Sequence, residues 1–145
     1  MREPPVKLVL DTNVIVSGFL WKGVEFDLLR SVEEGSVLMF LTSDMVKELD
    51  RVLRYPRLEK VLKKAGLTSE VLLEKVVSLA HLVVGSGEHV TVCRDVDDNK
   101  ILECALLAGA EYVVTGDDDL LVLKKFRTVC IVTTKELLRV LDDSE

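Results

Sequence analysis

Short apolar segments that alternate with longer segments of helical periodicity constrain the fold of this chain more than any other feature. Each apolar segment is continuous and rich in β-branched residues, which is typical of strands in a parallel sheet covered on both faces. The predicted strands are 6–11, 37–42, 111–115 and 128–133, with a further short strand at 90–93. The predicted helices are 23–35, 44–55, 57–66, 69–83, 99–110, 118–125 and 134–141.

Residues at the segment boundaries support this division. Ser43 can cap the helix that follows it, and Pro56 ends or kinks that helix. Thr133 and Glu136 have the spacing of a capping box. The alternation predicts an α/β protein, a three-layer α/β/α sandwich with a central, mainly parallel sheet and right-handed crossovers. No linker or repeat divides the chain, so residues 1–145 are read as a single domain.

Composition excludes several classes of protein. No uncharged apolar run approaches the roughly 18 residues of a membrane helix, and no signal-peptide pattern is found, so a cytoplasmic protein without membrane contact is expected. The three cysteines are widely spaced and form no C-x-x-C pair, which argues against a disulfide framework or a zinc site. The net charge of −6 argues against a nucleic-acid binder, unless several carboxylates share one metal-loaded pocket.

Four acidic residues, far apart in sequence, lie at or just beyond predicted strands. Asp11 ends the first strand, and Asp117 follows the strand 111–115 after one glycine. Asp98 opens the helix after the segment 90–93, and Glu48 lies one turn inside the helix that follows the second strand. Because ligands of open parallel sheets bind at the carboxyl ends of the strands, these acids are expected to converge on one edge.

Carboxylates that converge in this way repel one another unless a cation lies between them. Oxygen ligands without His or Cys favour Mg²⁺ or Mn²⁺ over zinc, and such an ion supports hydrolysis of a phosphate ester. Each acid taken alone has a simpler explanation. Asp98 and Asp117 could be helix N-caps, Glu48 a solvated helix residue and Asp11 the cap of a turn. The metal hypothesis rests on all four together.

Three motifs carry a resemblance to a known family. The order "VLDTNVIVSGFL", then "MVKELDRVL", then "CRDVDDNKILECALLAGAEYVVTGDDDLLVL" resembles PIN domains, in particular the VapC-like toxins of prokaryotic toxin–antitoxin systems. The resemblance extends from residue 8 to about residue 134. It implies an endoribonuclease that depends on Mg²⁺ or Mn²⁺, in which a metal-activated water attacks the RNA phosphodiester. It also implies a homodimer and an antitoxin protein as partners.

The resemblance assigns roles to individual residues. It makes Asp11, Glu48, Asp98 and Asp117 both catalytic residues and metal ligands. Polar residues that support these acids are Asn13, Thr115 and Asp119.

A basic segment follows the helix that carries Glu48. Residues 51–64 contain six basic residues and one acid, and Arg51, Arg54 and Arg57 are predicted to contact the phosphates of the RNA substrate. The same spacing is found on ordinary solvated helix faces, which is the alternative.

Two other functions are alternatives to the ribonuclease. A catalytically silent PIN module would bind RNA or a protein partner, and a defective metal site would identify it. A phosphotransfer domain also places an Asp at a strand end with Mg²⁺. Such a domain would be either a haloacid-dehalogenase-like phosphatase or a response-regulator receiver. The phosphatase requires a second Asp where this chain has Asn13. The receiver requires an acidic pair at the end of the first strand, which this chain lacks, and only Lys135 after the last strand resembles its lysine.

Overall fold

A six-stranded sheet organises the part of the chain that the computed structural model describes, residues 4–85 and 87–143. The strands are β1 (Val6–Leu10), β2 (Val37–Leu41), β3 (His81–Leu82), β4 (Tyr112–Val114), β5 (Lys125–Phe126) and β6 (Val129–Val132). Their order across the sheet is β3-β2-β1-β4-β6-β5. All neighbours are parallel except β5, which pairs antiparallel with β6.

Helices separate the strands and cover the sheet. They are α1 (Thr12–Leu20), α2 (Val24–Glu33), α3 (Ser43–Leu53), α4 (Pro56–Lys64), α5 (Ser69–Leu79), α6 (Val96–Ala108), α7 (Asp118–Leu121) and α8 (Thr134–Asp143). One group, α1, α2 and α8, packs together, and a second group contains α3, α5 and α6. The predicted α/β/α architecture with a mainly parallel sheet is confirmed.

The central strand β1 lies in the middle of the hydrophobic core. Leu8, Val9 and Leu10 are fully buried, since β1 is flanked by β2 and β4 and helices pack over the sheet. This burial explains why the strand segments are continuously apolar rather than alternating. Among the described residues, no helix combines the length and apolar character needed to cross a membrane.

Helix α1 was not predicted from the sequence. Its segment contains Val14, Ile15 and Val16, and β-branched residues favour strands over helices. All three are buried in the core, so tertiary packing overrides the local preference. Gly18 permits this packing, because a Cβ at that position would lie 2.4 Å from the Leu29 side chain on α2.

Other boundaries also differ from the predictions. The predicted helix 69–83 was too long, since α5 ends at Leu79 and His81–Leu82 form the edge strand β3. The predicted strand 90–93 is wrong, because those residues form no strand. The antiparallel strand β5 replaces the end of the predicted helix 118–125.

The helix caps were predicted only in part. Thr42, not Ser43, caps α3 by accepting a hydrogen bond from the Met45 amide at 3.3 Å. The capping box of α8 is confirmed, since Thr133 and Glu136 exchange hydrogen bonds at 2.9 and 3.2 Å.

Candidate metal centre

Asp11 fixes the first carboxylate at the carboxyl edge of the sheet. Its backbone amide donates to the Val114 carbonyl at 2.9 Å, which extends the β1–β4 pairing by one residue. Its side chain caps α1, because Oδ1 accepts a hydrogen bond from the Asn13 amide at 3.3 Å. The residue is only 7% exposed, and this burial raises the pKa of its carboxyl group.

Thr115 links Asp11 to the next acid. Its hydroxyl donates to Asp11 Oδ2 at 2.7 Å and accepts from the Asp117 amide at 2.9 Å. Its own amide donates to the Val132 carbonyl at 3.0 Å, which ties it to β6. One buried hydroxyl therefore sets the positions of both Asp11 and Asp117.

Asp117 and Asp119 lie at the start of the short helix α7. Asp117 caps this helix by accepting a hydrogen bond from the Asp119 amide at 2.9 Å. The Asp119 carboxylate is exposed, and Arg94 approaches it at 3.5 Å.

Asp98 enters the site from α6 and does not cap that helix. Asp95 is the cap, accepting from the Asp97 amide at 2.9 Å, so the cap interpretation of Asp98 is wrong. The preceding loop is held by Asn99, whose side chain accepts from the Cys93 amide at 2.8 Å and donates to its carbonyl at 3.0 Å. This arrangement turns Asp98 inward, where it is 5% exposed.

Three carboxylates meet at this point. Asp98, Asp117 and Asp119 each offer an oxygen, and these oxygens lie within 4.8 Å of one another. Asp98 Oδ2 is buried and has no hydrogen-bond partner among the described residues. Burial, together with the facing Asp117, raises the pKa of Asp98 to about 7. A buried acceptor without a donor, beside two further carboxylates, is the arrangement expected where a cation binds.

Glu48 approaches the same place from α3. It is half-buried, and its pKa is raised by this burial and by the charges of Asp97 and Asp11. A hydrogen bond with Thr12 opposes the shift. Asp11 therefore interacts electrostatically with Asp98 and Asp117, and Glu48 interacts with Asp11.

The comparison with protein families agrees with this geometry. The model of a family described as PIN domain matches residues 7–119, which cover β1 through the acids of α7. The chain belongs to the PIN domain family. It is also similar to an uncharacterized protein of Methanocaldococcus jannaschii, MJ1680, with 28% identity over 125 residues. That alignment covers 86% of this chain and 79% of the relative.

PIN domain membership implies a nuclease-type fold, and the acidic cluster occupies the edge where such a fold places its site. The assignment also favours the nuclease over the phosphotransfer alternative. The matched relative is uncharacterized, so the VapC-like subtype stays a prediction from the resemblance.

Two of the three predicted substrate-binding arginines have carboxylate partners. Arg51 pairs with Asp97 at 3.1 Å, and Arg54 pairs with Asp50 at 3.0 Å. Arg57 is exposed at the start of α4. Arg51 is the nearest to the acids, because it partly offsets the raised pKa of Glu48.

Sequence reasoning did not single out two supporting residues of the PIN domain site. Thr12 contacts Glu48, and Asn99 anchors the loop before Asp98. Both are buried polar residues directly after a site acid. That adjacency is a usable signal, since a polar residue beside a buried acid often serves to orient it.

A second feature of the surface is a cavity of about 610 Å³ bordered by Val46, Leu82, Lys100 and Leu107. None of the four predicted acids lines it, so its size alone gives no reason to place metal-dependent chemistry there.

Proposed function

We propose that this PIN domain protein is an endoribonuclease that depends on Mg²⁺ or Mn²⁺. The observation that carries the proposal is the buried Asp98 Oδ2, which has no hydrogen-bond partner among the described residues and belongs to a carboxyl group that faces Asp117 and Asp119. A structural network would supply such a group with a donor. A divalent cation supplies the missing positive charge.

The residues present fit a hard cation. The group contains only carboxylate oxygens, which Mg²⁺ and Mn²⁺ prefer. Cys93 lies close enough for the acids to affect it, but burial and these acids raise the pKa of its thiol. The thiol therefore stays protonated at neutral pH and does not add a soft ligand.

Each residue of the site has a role in this mechanism. Asp98, Asp117 and Asp119 would hold the cation, with Asp11 as a further ligand. When bound, the ion lowers the pKa of a coordinated water and neutralises charge on the scissile phosphate. Glu48 has a raised pKa and interacts with Asp11, so it is suited to accept a proton from the attacking water. Thr115 keeps Asp11 and Asp117 in place.

Exposed arginines follow Glu48 in the chain and can contact a polyanion such as RNA. Arg51 pairs with Asp97 and lies close enough to Glu48 to affect its pKa, and Arg54 and Arg57 are exposed residues further along the chain. A phosphate group can replace Asp97 as the partner of Arg51, because that ion pair is exposed and therefore weak. These contacts would position RNA without reading its sequence.

The toxin role, the antitoxin partner and the homodimer follow from the resemblance alone. They stay predictions, as does the cytoplasmic location.

The test is cleavage of a mixed RNA pool by the purified protein in Mn²⁺. Asp98→Asn should abolish cleavage, and EDTA should abolish it in the wild type. Asp118→Asn is the matched control, since it removes the same charge from an exposed residue that lies between Asp117 and Asp119 in sequence but is not part of the three-carboxylate group.

The outcomes separate the enzyme from the silent module. Cleavage that needs both Mn²⁺ and Asp98, but not Asp118, supports the hydrolase. Cleavage that survives Asp98→Asn contradicts the assigned site. RNA binding without cleavage, in a protein that also fails to bind Mn²⁺, supports the silent PIN module.

A further inference from the structure

A second cavity adjoins the acidic site on the side of α1 and α8. Its volume is about 310 Å³, and it opens at the carboxyl ends of β1, β4 and β6. The polar residues that line it are Asn13, Ser17, Glu25, Thr115, Thr133, Thr134 and Lys135. None of them is an acid of the proposed metal centre, and Lys135 had no role in the proposed reaction.

The cavity and the acidic site share a wall. Thr115 lines the cavity while its hydroxyl holds Asp11 at 2.7 Å. Gly116 also lines it and directly precedes Asp117. A ligand in the cavity would therefore contact the same segment that positions two of the site acids.

The chemistry of the lining fits a ribose and a phosphate. Hydroxyl and amide groups can donate to and accept from sugar hydroxyls, and the larger, apolar part of the lining, which includes Val14 and Val24, can contact a base. Lys135 is exposed and makes no ion pair within residues 4–85 and 87–143, whereas Arg51 and Arg54 are both paired. Its ammonium is available to a phosphate. Glu25 is an acid that also lines this cavity.

The strand order places Lys135 after the strand that neighbours β4, which leads to Asp117. Lys135 lies in the first turn of α8, which follows β6, and β6 is the neighbour of the strand that leads to Asp117. Neighbouring strands are about 4.8 Å apart, and a nucleic-acid strand advances about 3.4 Å per nucleotide in a duplex. Arg51 lies on the opposite side, on the helix after β2. A strand that crosses the sheet edge would meet Arg51, the acids and Lys135 in turn.

We propose that the cavity bounded by Lys135 binds the nucleotide adjacent to the scissile phosphate, with Lys135 contacting a backbone phosphate of that nucleotide. This inference rests on the proposed ribonuclease function and adds a subsite to it. Lys135 is a binding residue in this scheme and takes no part in proton transfer.

The first experiment measures binding of a short fluorescent single-stranded RNA by anisotropy. All proteins carry Asp98→Asn, so that RNA remains intact in Mg²⁺. Lys135→Met is compared with Lys75→Met, which removes the same charge from an exposed position on α5. Lys135→Met should weaken binding roughly tenfold and reduce the slope of log K against log salt by about 0.7. Lys75→Met should change neither value.

The second experiment locates the contact. Each phosphate of the RNA is replaced in turn by a neutral methylphosphonate. In the protein that keeps Lys135, one methylphosphonate next to the cleavage position should weaken RNA binding. In the Lys135→Met protein, the same methylphosphonate should not weaken binding any further. Equal losses in the two proteins at every position would overturn the subsite.

The failures of the two proposals can be distinguished. RNA that binds equally well to the Lys135→Met and Lys75→Met proteins contradicts the subsite alone. RNA that is neither bound by these proteins nor bound or cut by the wild type in Mg²⁺ contradicts the ribonuclease and the subsite together. Because Lys135 is exposed, urea unfolding of the Lys135→Met protein should match the parent and exclude a folding defect.

Discussion

Replacing Asp98 by Asn should stabilise the metal-free protein, and more strongly at high pH. The folded protein raises the pKa of Asp98 to about 7, against 3.8 for an exposed Asp. Between these values the unfolded chain is ionised while the folded chain retains the proton, so stability falls as pH rises. Above about pH 7 both states are ionised, and the full cost of the buried charge is present.

The size of the effect follows from the two pKa values. Each tenfold change in an acid constant is worth about 1.4 kcal/mol. The ionised Asp98 therefore costs the folded apo protein about 4 kcal/mol at pH 8 and about 0.5 kcal/mol at pH 4. Asn is neutral and of similar size, so it carries none of the charge that burial disfavours. The variant should recover most of this cost, which for a chain of this size corresponds to roughly 10 °C in Tm.

The assay is urea or thermal unfolding in EDTA at pH 4 and pH 8, for the wild type, Asp98→Asn and the exposed control Asp118→Asn. The gain of Asp98→Asn should appear at pH 8 and nearly vanish at pH 4, and the control should follow the wild type at both. A variant less stable than the wild type at pH 8, or a gain that does not change with pH, would refute the reasoning.

Three further predictions concern the same site. Mn²⁺ at about 100 times its Kd should stabilise the wild type by about 2.7 kcal/mol and Asp98→Asn by much less; equal shifts in Tm would contradict the metal site. Thr115→Val leaves Asp11 Oδ2 and the Asp117 amide without their partner and should cost about 2 kcal/mol in urea unfolding. Thr115→Ser should restore this, and a Ser variant as unstable as Val would show that the hydroxyl is not the cause. Asn99→Ala removes both hydrogen bonds to Cys93 and should cost about 2 kcal/mol with faster hydrogen exchange at the Cys93 amide; unchanged exchange would contradict the anchoring role.

The strands of the sheet and the edge of the acidic site could be predicted because two simple rules apply to them. A buried parallel strand is continuously apolar, so β1 and β2 stand out in the sequence. The residues that follow such strands meet at one edge, which places Asp11 and Asp117 together. Neither conclusion depends on knowing which helix packs where.

Helix α1 and the strands β3 and β5 were not predicted, because they depend on contacts between residues that are distant in sequence. Helix α1 contains several β-branched residues and forms because its apolar side chains are buried in the core, where the helix packs against α2 and α3. The edge strands β3 and β5 have two residues each, too few for a pattern. Their pairing is set by the neighbouring strand, so no local signal identifies them.

The sequence also does not show which acid in each cluster caps a helix and which one faces the metal site. Asp95, Asp97 and Asp98 occupy adjacent positions, and all are acceptable helix caps. In the structure Asp95 caps α6 and Asp98 turns inward, next to the bonds between Asn99 and Cys93. Asp119 joins the cluster through the turn that Asp117 caps, a geometry that the sequence spacing alone does not define.

The short edge strands limit how copies of this protein can associate. Long exposed edges invite another chain to add a strand, and short ones offer too few backbone groups for that pairing. Both β3 and β5 end the sheet after two residues. A homodimer of the kind that the resemblance implies would therefore join through helix faces and side chains. Substitutions that test it belong on the helices, and a continuous sheet through two copies is not expected.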